Sequence, residues 1–334
     1  MRAFLAFTLL TMAAGCSPPP PPEDPVLTAD PPAGGAEGLA ASAANTELQR
    51  AIAYIKNEKF EEAKKHLEAA LAERPDHAEA NYYMGVTTEM LGDKKAAEGF
   101  YSKAIAADPA LVDAATNLAA LYLDEPARPD EAIAVLKSAL KSVPDDAALH
   151  QNLGYAYGLK KDYENAGKEY EAALAKSDTA QVRFAYGALL FEAGDMEKAA
   201  VQLRKALDGT TDDVPMIVTL GRMLGKAKAY ADCVRAFDMA LKSKTDPEWL
   251  VRRGTCKHEL SDEDGARQDF EAATKADPKF AAAFYYLGMS YALNLKRYKP
   301  QAILALQQAV KAGEGTDIGK KAAEELKKVK QQKP

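Results

Sequence analysis

The side chains of this 334-residue chain that could attack a substrate or hold a metal are few: three cysteines and four histidines. His66, His77, His150 and His258 stand apart in the sequence, and none has a Cys, Ser or Asp at the spacing of a zinc site or of a nucleophile and its base. No catalytic residue, metal ligand or cofactor is expected from them. A different chemistry is better supplied. Tyrosines, phenylalanines and side-chain amides recur on segments of helical period, and such residues recognise other molecules rather than transform them. The charge balance narrows what they recognise. Lys plus Arg number 43 against 49 Asp plus Glu, a net charge of −6, so no positive field attracts a phosphate backbone and nucleic acid is not the expected partner. A chain that is 47% hydrophobic and 28% charged has an ordinary globular composition.

The elements that must position these residues emerge from internal repetition. The pattern Ala-x3-[Leu/Tyr/Phe]-x2-Ala occurs eight times, at Ala63-Leu67-Ala70, Ala97-Tyr101-Ala104, Ala132-Leu136-Ala139, Ala166-Tyr170-Ala173, Ala199-Leu203-Ala206, Cys233-Phe237-Ala240, Ala266-Phe270-Ala273 and Ala302-Leu306-Ala309. Successive starts lie 34, 35, 34, 33, 34, 33 and 36 residues apart. The i, i+4, i+7 spacing within each triad marks one stripe of an amphipathic helix. About twelve residues upstream of each lies a second helical stripe around a small residue: Ala51, Gly85, Ala119, Gly154, Gly187, Gly221, Gly254 or Gly288. Each unit is therefore a helix pair. Gly92-Asp93 and Gly194-Asp195 join a glycine stop to an aspartate N-cap, while Pro75, Pro109, Pro144 and Pro278 end second helices.

This pattern resembles the tetratricopeptide repeat (TPR). The clearest unit spans residues 78–111, with Met84-Gly85, Gly92-Asp93, Ala97, Tyr101, Ala104 and Pro109 on the family pattern. The resemblance implies an all-α fold, a right-handed αα superhelix of about eight helix-turn-helix repeats: 44–77, 78–111, 112–146, 147–179, 180–213, 214–246, 247–280 and 281–312. Residues 313–334 complete it, an amphipathic cap helix over 317–330 and a tail. Repeat 3 departs at Ala119 and in a widened turn at 124–130, repeat 6 at Cys233, and repeat 8 around Tyr298 and Pro300. In the family, the central glycine and the first alanine of the triad mark the closest approach of the two helices, and the second alanine packs on the next repeat.

TPR proteins bind peptides or partner helices on the concave face, lined by the first helix of each pair. The matching positions here are Tyr82, Tyr83 and Val86; Thr116 and Asn117; Gln151, Asn152 and Tyr155; Phe184, Ala188 and Phe191; Thr219 and Arg222; Arg252 and His258; and Tyr285, Tyr286 and Met289. Some of these aromatics could instead fill contacts between repeats. The Lys/Arg clamp with which co-chaperone TPR domains hold a C-terminal carboxylate is not found in repeats 2–4. Arg222, Lys226, Arg252 and Arg253 form a basic concentration that could receive an acidic peptide, although a solvated charged face is the simpler expectation. Cys233 and Cys256 occupy small-residue positions of adjacent repeats, where they could form a disulfide; the sequence favours two buried thiols acting as small hydrophobes.

The first forty-three residues have another character. Arg2 precedes an uncharged apolar run over 3–14, too short to span a bilayer and suited to an export signal over residues 1–15. It ends in Ala13-Ala14-Gly15-Cys16-Ser17, which resembles the lipobox of bacterial lipoproteins and departs from it at Ala13, where Leu is commoner. The resemblance implies that Cys16 is lipidated and becomes the new N-terminus, and Ser17 in place of Asp points to the outer membrane. Eight of the 18 prolines fall within residues 18–32, so 16–43 reads as an extended tether reaching on the order of 50–80 Å. The expectation is a lipid-anchored, periplasm-facing scaffold of the outer membrane that binds an envelope protein or peptide segment. Lipobox, linker and repeat array together are similar to the pilotin-type lipoproteins that assist assembly of type IV pilus secretins. Adaptors for cell-wall enzymes or for outer-membrane protein assembly share the architecture, and an enzyme or small-ligand receptor is the least favoured reading.

Overall fold

A computed structural model describes residues 36–124 and 126–332. The signal peptide, Cys16 and the proline-rich run lie outside the described residues. Seventeen α-helices and no strand occur among the described residues. The chain divides into two compact units, Met1–Lys176 and Ser177–Pro334. The first holds α1 (Ala36–Lys56), α2 (Phe60–Glu73), α3 (Ala78–Met90), α4 (Lys94–Ala107), α5 (Val112–Leu123), α6 (Pro129–Ser142), α7 (Ala147–Leu159) and α8 (Tyr163–Lys176). The second holds α9 (Ala180–Glu192), α10 (Met196–Asp208), α11 (Val214–Lys226), α12 (Tyr230–Leu241), α13 (Pro247–Glu259), α14 (Glu263–Ala276), α15 (Ala281–Ala292), α16 (Leu295–Ala312) and α17 (Asp317–Gln331). Within each unit an odd-numbered helix packs on the even-numbered one after it, and successive pairs stack in chain order.

The triads account for the core. All twenty-four of their side chains are at most 3% exposed. Against the triad's middle residue lies the central glycine of the preceding helix: a Cβ on Gly85 would stand 2.6 Å from Tyr101 Cδ1, and one on Gly254 would stand 2.6 Å from Phe270 Cε1. The glycine thus meets the large middle side chain and, at Gly154 and Gly254, also the backbone carbonyl of the first alanine, Ala166 at 3.2 Å and Ala266 at 3.1 Å. Glycine is needed so that a whole aromatic ring can lie flat against backbone.

The turn inside each repeat is more uniform than its sequence. The residue before the cap has positive φ at Gly92 (89°) and Gly194 (84°), and also at Glu58 (57°), Lys161 (61°), Lys228 (61°) and Ser261 (64°). In all six turns the next N–H donates to the carbonyl five residues back, as from Asp93 to Thr88 (2.9 Å), Asp162 to Tyr157 (3.0 Å) and Asp262 to Lys257 (2.9 Å). This Schellman closure satisfies the carbonyls left open at the helix end, and it forces a left-handed residue whatever its type. A side chain held there costs about 1 kcal/mol, so Lys161→Gly should leave the fold intact and raise stability by up to ~1 kcal/mol in urea unfolding, offset in part by glycine's entropy.

The two exceptional turns are those that the sequence marks. In repeat 3, Arg128 stacks 4.4 Å over the Tyr122 ring and donates to Glu98 (2.9 Å), to which the Tyr122 hydroxyl also donates (3.2 Å). The Arg128 guanidinium, followed by the Tyr122 hydroxyl, holds the Glu98 carboxyl below its ordinary range. In repeat 8 the widened region is helical: Leu295–Ala312 is continuous apart from a kink at Tyr298 (φ −123°, ψ 16°). Pro300, two residues on, thereby sits at the start of a new helical run, where its missing N–H costs nothing.

Two expectations need correction. The tether does not extend to residue 43, because α1 begins at Ala36. Ala36, Ala40, Ala41, Ala43 and Ala44 favour helix strongly, and composition without periodicity concealed this. Cys233 and Cys256 are not two thiols but a disulfide joining α12 to α13, with Cα atoms 6.3 Å apart. The small-residue positions that carry them face each other where repeats 6 and 7 stack, and Gly225 leaves room for both sulfurs, 3.3 Å from where its Cβ would be. Closing this loop should be worth about 3 kcal/mol, so reductant should lower the melting temperature of the intact protein but not of a Cys233→Ala, Cys256→Ala double variant.

Candidate protein-docking surfaces

In the first unit the recognition residues sit on α3, α5 and α7. Tyr82 and Tyr83 meet edge to face at 4.9 Å, and Tyr82 leans on Tyr101 at 6.1 Å. Tyr101, fully buried, donates its hydroxyl to Glu89 (2.7 Å) and accepts a long hydrogen bond from the Asn117 amide (3.5 Å). The sequence-predicted Tyr82, Tyr83 and Asn117 are therefore brought together, and Asn117 is already engaged inside the protein. Asn152, at the same position one repeat later, is half-buried, and its amide has no partner among the described residues. Tyr82 and Val86 are half-buried and also pack against the core formed by repeats 2–4, so they serve stacking as well as surface.

Burial pushes the Tyr82 phenol up to about 12, and burial with the Glu89 bond raises Tyr101 further. In the second unit Tyr291, half-buried and donating to Glu271 (2.7 Å), is likewise pushed up to about 12 by desolvation and that bond. The folded protein thus keeps protons that unfolded tyrosines release near pH 10, so stability falls as pH rises above about 10. An ultraviolet difference titration should find these phenols titrating with or after unfolding, and Tyr82→Phe should remove one late-titrating group.

The second unit presents a different surface. Phe184, Ala188 and Phe191 on α9 are half-buried against the repeat 5–6 core. On α11, Thr219 turns its hydroxyl back onto the Pro215 carbonyl (2.9 Å). Arg222 and Arg252 share Glu248 as partner, at 2.8 Å and 2.9 Å, and Arg253 is held by Asp269 and Asp238. His258 pairs with Glu263 (2.9 Å). The basic concentration expected here is hence largely neutralised by carboxylates of its own unit. Tyr285 meets Tyr286 edge to face at 5.3 Å, and Tyr286 stacks on Phe270 at 5.7 Å. Tyr285 packs into the cluster that α17 closes with Val329 and Leu326, so it belongs partly to the cap, while Met289 is half-buried.

Sequence reasoning missed the far end of the first-helix stripe. Residues i, i+4 and i+8 share a helix face. Continuing Tyr82–Val86 and Gln151–Tyr155 by four residues reaches Met90 and Leu159, which are 47% and 37% exposed. Continuing Tyr285–Met289 reaches Leu293, 58% exposed. The four-residue step itself was the available signal. Among the described residues no group of three His, Cys, Asp or Glu side chains could hold a metal, and no helix is long and apolar enough to cross a membrane.

These repeats and the face they present define a class of protein. The tetratricopeptide repeat model matches residues 48–111, 117–180 and 259–316, over half of the sequence, and the chain belongs to this family. The unmatched stretch 181–258 has the same buried triads and the same turns. Among solved structures, a thermophilic TPR protein of Thermus thermophilus is 26% identical, with a TM-score of 0.45 over 55% of this chain and 99% of that one. A TPR protein of Parabacteroides merdae is 17% identical, with a TM-score of 0.49 over 75% and 99%. PilW, described as a type IV pilus biogenesis factor, is 17% identical, with a TM-score of 0.43 over 71% and 94%. No curated protein matches the sequence significantly.

Proposed function

We propose that this protein is a lipid-anchored scaffold of the bacterial outer membrane, facing the periplasm, whose first helices dock a segment of another envelope protein. As a TPR protein it is of a class that binds protein or peptide partners. The observation that carries the reading further is the apolar stripe on first helices, Tyr82, Val86 and Met90 on α3 with Tyr155 and Leu159 on α7. Single exposed apolar residues are ordinary, but apolar side chains repeated at matched positions on parallel elements make a docking face. The anchor rests on the sequence at Cys16, and the Cys233–Cys256 disulfide supports an oxidising compartment such as the periplasm. Two or more acyl chains at Cys16 make release from a membrane negligible.

Two experiments test it. Cys16→Ser should leave the protein soluble or unprocessed after fractionation, and acyl label still incorporated in that variant would refute the lipid site. Met90→Lys with Leu159→Lys should abolish co-purification of the envelope partner without altering the melting curve. The narrower role, assisting assembly of a type IV pilus secretin, rests on the resemblance of lipobox, linker and repeats. A secretin that stays multimeric and correctly placed in a deletion strain removes that role.

A further inference from the structure

The end of the second unit carries charge of the opposite sign to the rest of the chain. Residues 293–334 hold ten Lys and Arg against four Asp and Glu, within a sequence of net charge −6. On α16 a shallow hollow of about 700 Å³ is lined by Leu295, Lys296, Lys299, Pro300, Ile303, Leu304 and Gln307. On α17 a smaller one, about 360 Å³, is lined by Ala323, Leu326, Lys327, Lys330 and Gln331. They adjoin, because the Lys299 ammonium donates to the backbone carbonyls of Lys330 (3.4 Å) and Gln332. The floor is apolar, and Leu304 is 60% exposed, the highest among the large hydrophobics of the described residues. The rim is four lysines and no carboxylate. Several cations elsewhere in this unit are answered: Arg222 and Arg252 by Glu248, Arg253 and Lys257 by Asp269, Arg204 by Asp232. Among the described residues, Lys296, Lys327 and Lys330 have no carboxylate within ion-pair distance.

We propose that this lysine-rimmed apolar groove of α16 and α17 is a second docking site, distinct from the first-helix face, and that its occupant is an acidic amphipathic helix of a partner protein. The charge complementarity sets the sign of the partner: carboxylates over Lys296 and Lys299 on one wall and over Lys327 and Lys330 on the other. On α17 Lys327 and Lys330 are three residues apart, the spacing at which one helix turn repeats, so acidic residues three or four apart on a partner helix meet both; Lys296 and Lys299 flank the kink at Tyr298 on the other wall. Leu295, Pro300, Ile303 and Leu304 between them take its apolar side chains, as a groove takes a helix.

The test uses the full chain and three probes: a synthetic amphipathic helical peptide with leucines on one face and glutamates flanking them, the same peptide with lysine for every glutamate, and vesicles of phosphatidylethanolamine and phosphatidylglycerol. The acidic peptide should bind in a fluorescence titration, weaken with added salt, and lose about tenfold or more in affinity on Lys296→Glu with Lys327→Glu. Leu304→Asp should weaken it as well. Both lysines are exposed, so unchanged circular dichroism and melting temperature show that the loss is local. Equal binding of the basic peptide, binding indifferent to the charge reversals, or no binding would overturn the proposal. Vesicle association that the same reversals abolish, without peptide binding, would overturn it in favour of an anionic lipid surface. Lysine substitutions at Met90 and Leu159 should leave this binding unchanged, which separates it from the first-helix site.

Discussion

Asp269→Ala should cost the Ser177–Pro334 unit about 3–5 kcal/mol, a large share of the stability of an ordinary domain. Asp269 on α14 is buried, its side chain 5% exposed. Arg253 on α13 grips both of its oxygens, Nε to Oδ2 at 2.9 Å and Nη2 to Oδ1 at 2.5 Å, and Lys257 reaches Oδ2 at 2.9 Å. Arg253 also donates to Asp238 on α12 at 2.6 Å, so one guanidinium ties three helices and two repeats. Removing the carboxylate leaves two half-buried cations facing a void, and an uncompensated buried charge costs more than the pair gained. Asp269→Asn separates the contributions: it keeps the shape and one acceptor oxygen while deleting the charge and the second acceptor, and should recover only part of the loss. Urea unfolding followed in both variants measures it. A change under about 1 kcal/mol for the alanine variant would mean that the network is an exposed ion pair in effect.

The corresponding weak point of the first unit is Tyr101. Tyr101→Ala removes a ring that fills the space over Gly85 and buries a hydroxyl bonded to Glu89, and should cost about 3–5 kcal/mol. Tyr101→Phe keeps the ring and strips the hydroxyl, leaving Asn117 and Glu89 without that partner, and should cost about 1–2 kcal/mol. Because a repeat array is stabilised mainly by neighbouring interfaces, hydrogen exchange should accelerate first in α3, α4 and α5 and less in α7 and α8. Uniform loss of protection through the unit would mean that its four repeats unfold only as one.

Which features could be read in advance follows from how local their causes are. The triads, the central glycines, the Gly92 and Gly194 turns and the cap helix are set by helical period and by single residues of unusual backbone preference, and these are visible in a linear string. The left-handed residues at Glu58, Lys161, Lys228 and Ser261 were not, because ordinary side chains are held there by Schellman closure rather than by their own preference. Asp269 lies in a stretch reading Asp-Glu-Asp-Gly-Ala-Arg-Gln-Asp, which looks like a solvated surface, and its burial depends on cations contributed by the preceding helix. Glu248, which occupies Arg222 and Arg252 together, is likewise 26 and 4 residues away from them. The disulfide needed the distance between two repeats. Of the candidate surface, its helices and most of its aromatics were legible. The division of each ring between stacking and solvent was not, since that depends on contacts between helices, as with Tyr82 over Tyr101 and Tyr285 under the cap.

The central claim is that the first-helix face of the repeats receives an envelope protein. Site-specific photocrosslinking in cells addresses it directly, with the reactive residue placed at Tyr82, Tyr155 or Leu159 and, as control, at exposed Glu68 on second helix α2. The expected result is one and the same protein, resident in the envelope, joined at all three first-helix positions and absent at Glu68. Products equally abundant at Glu68, or no protein product at the three positions, would contradict it.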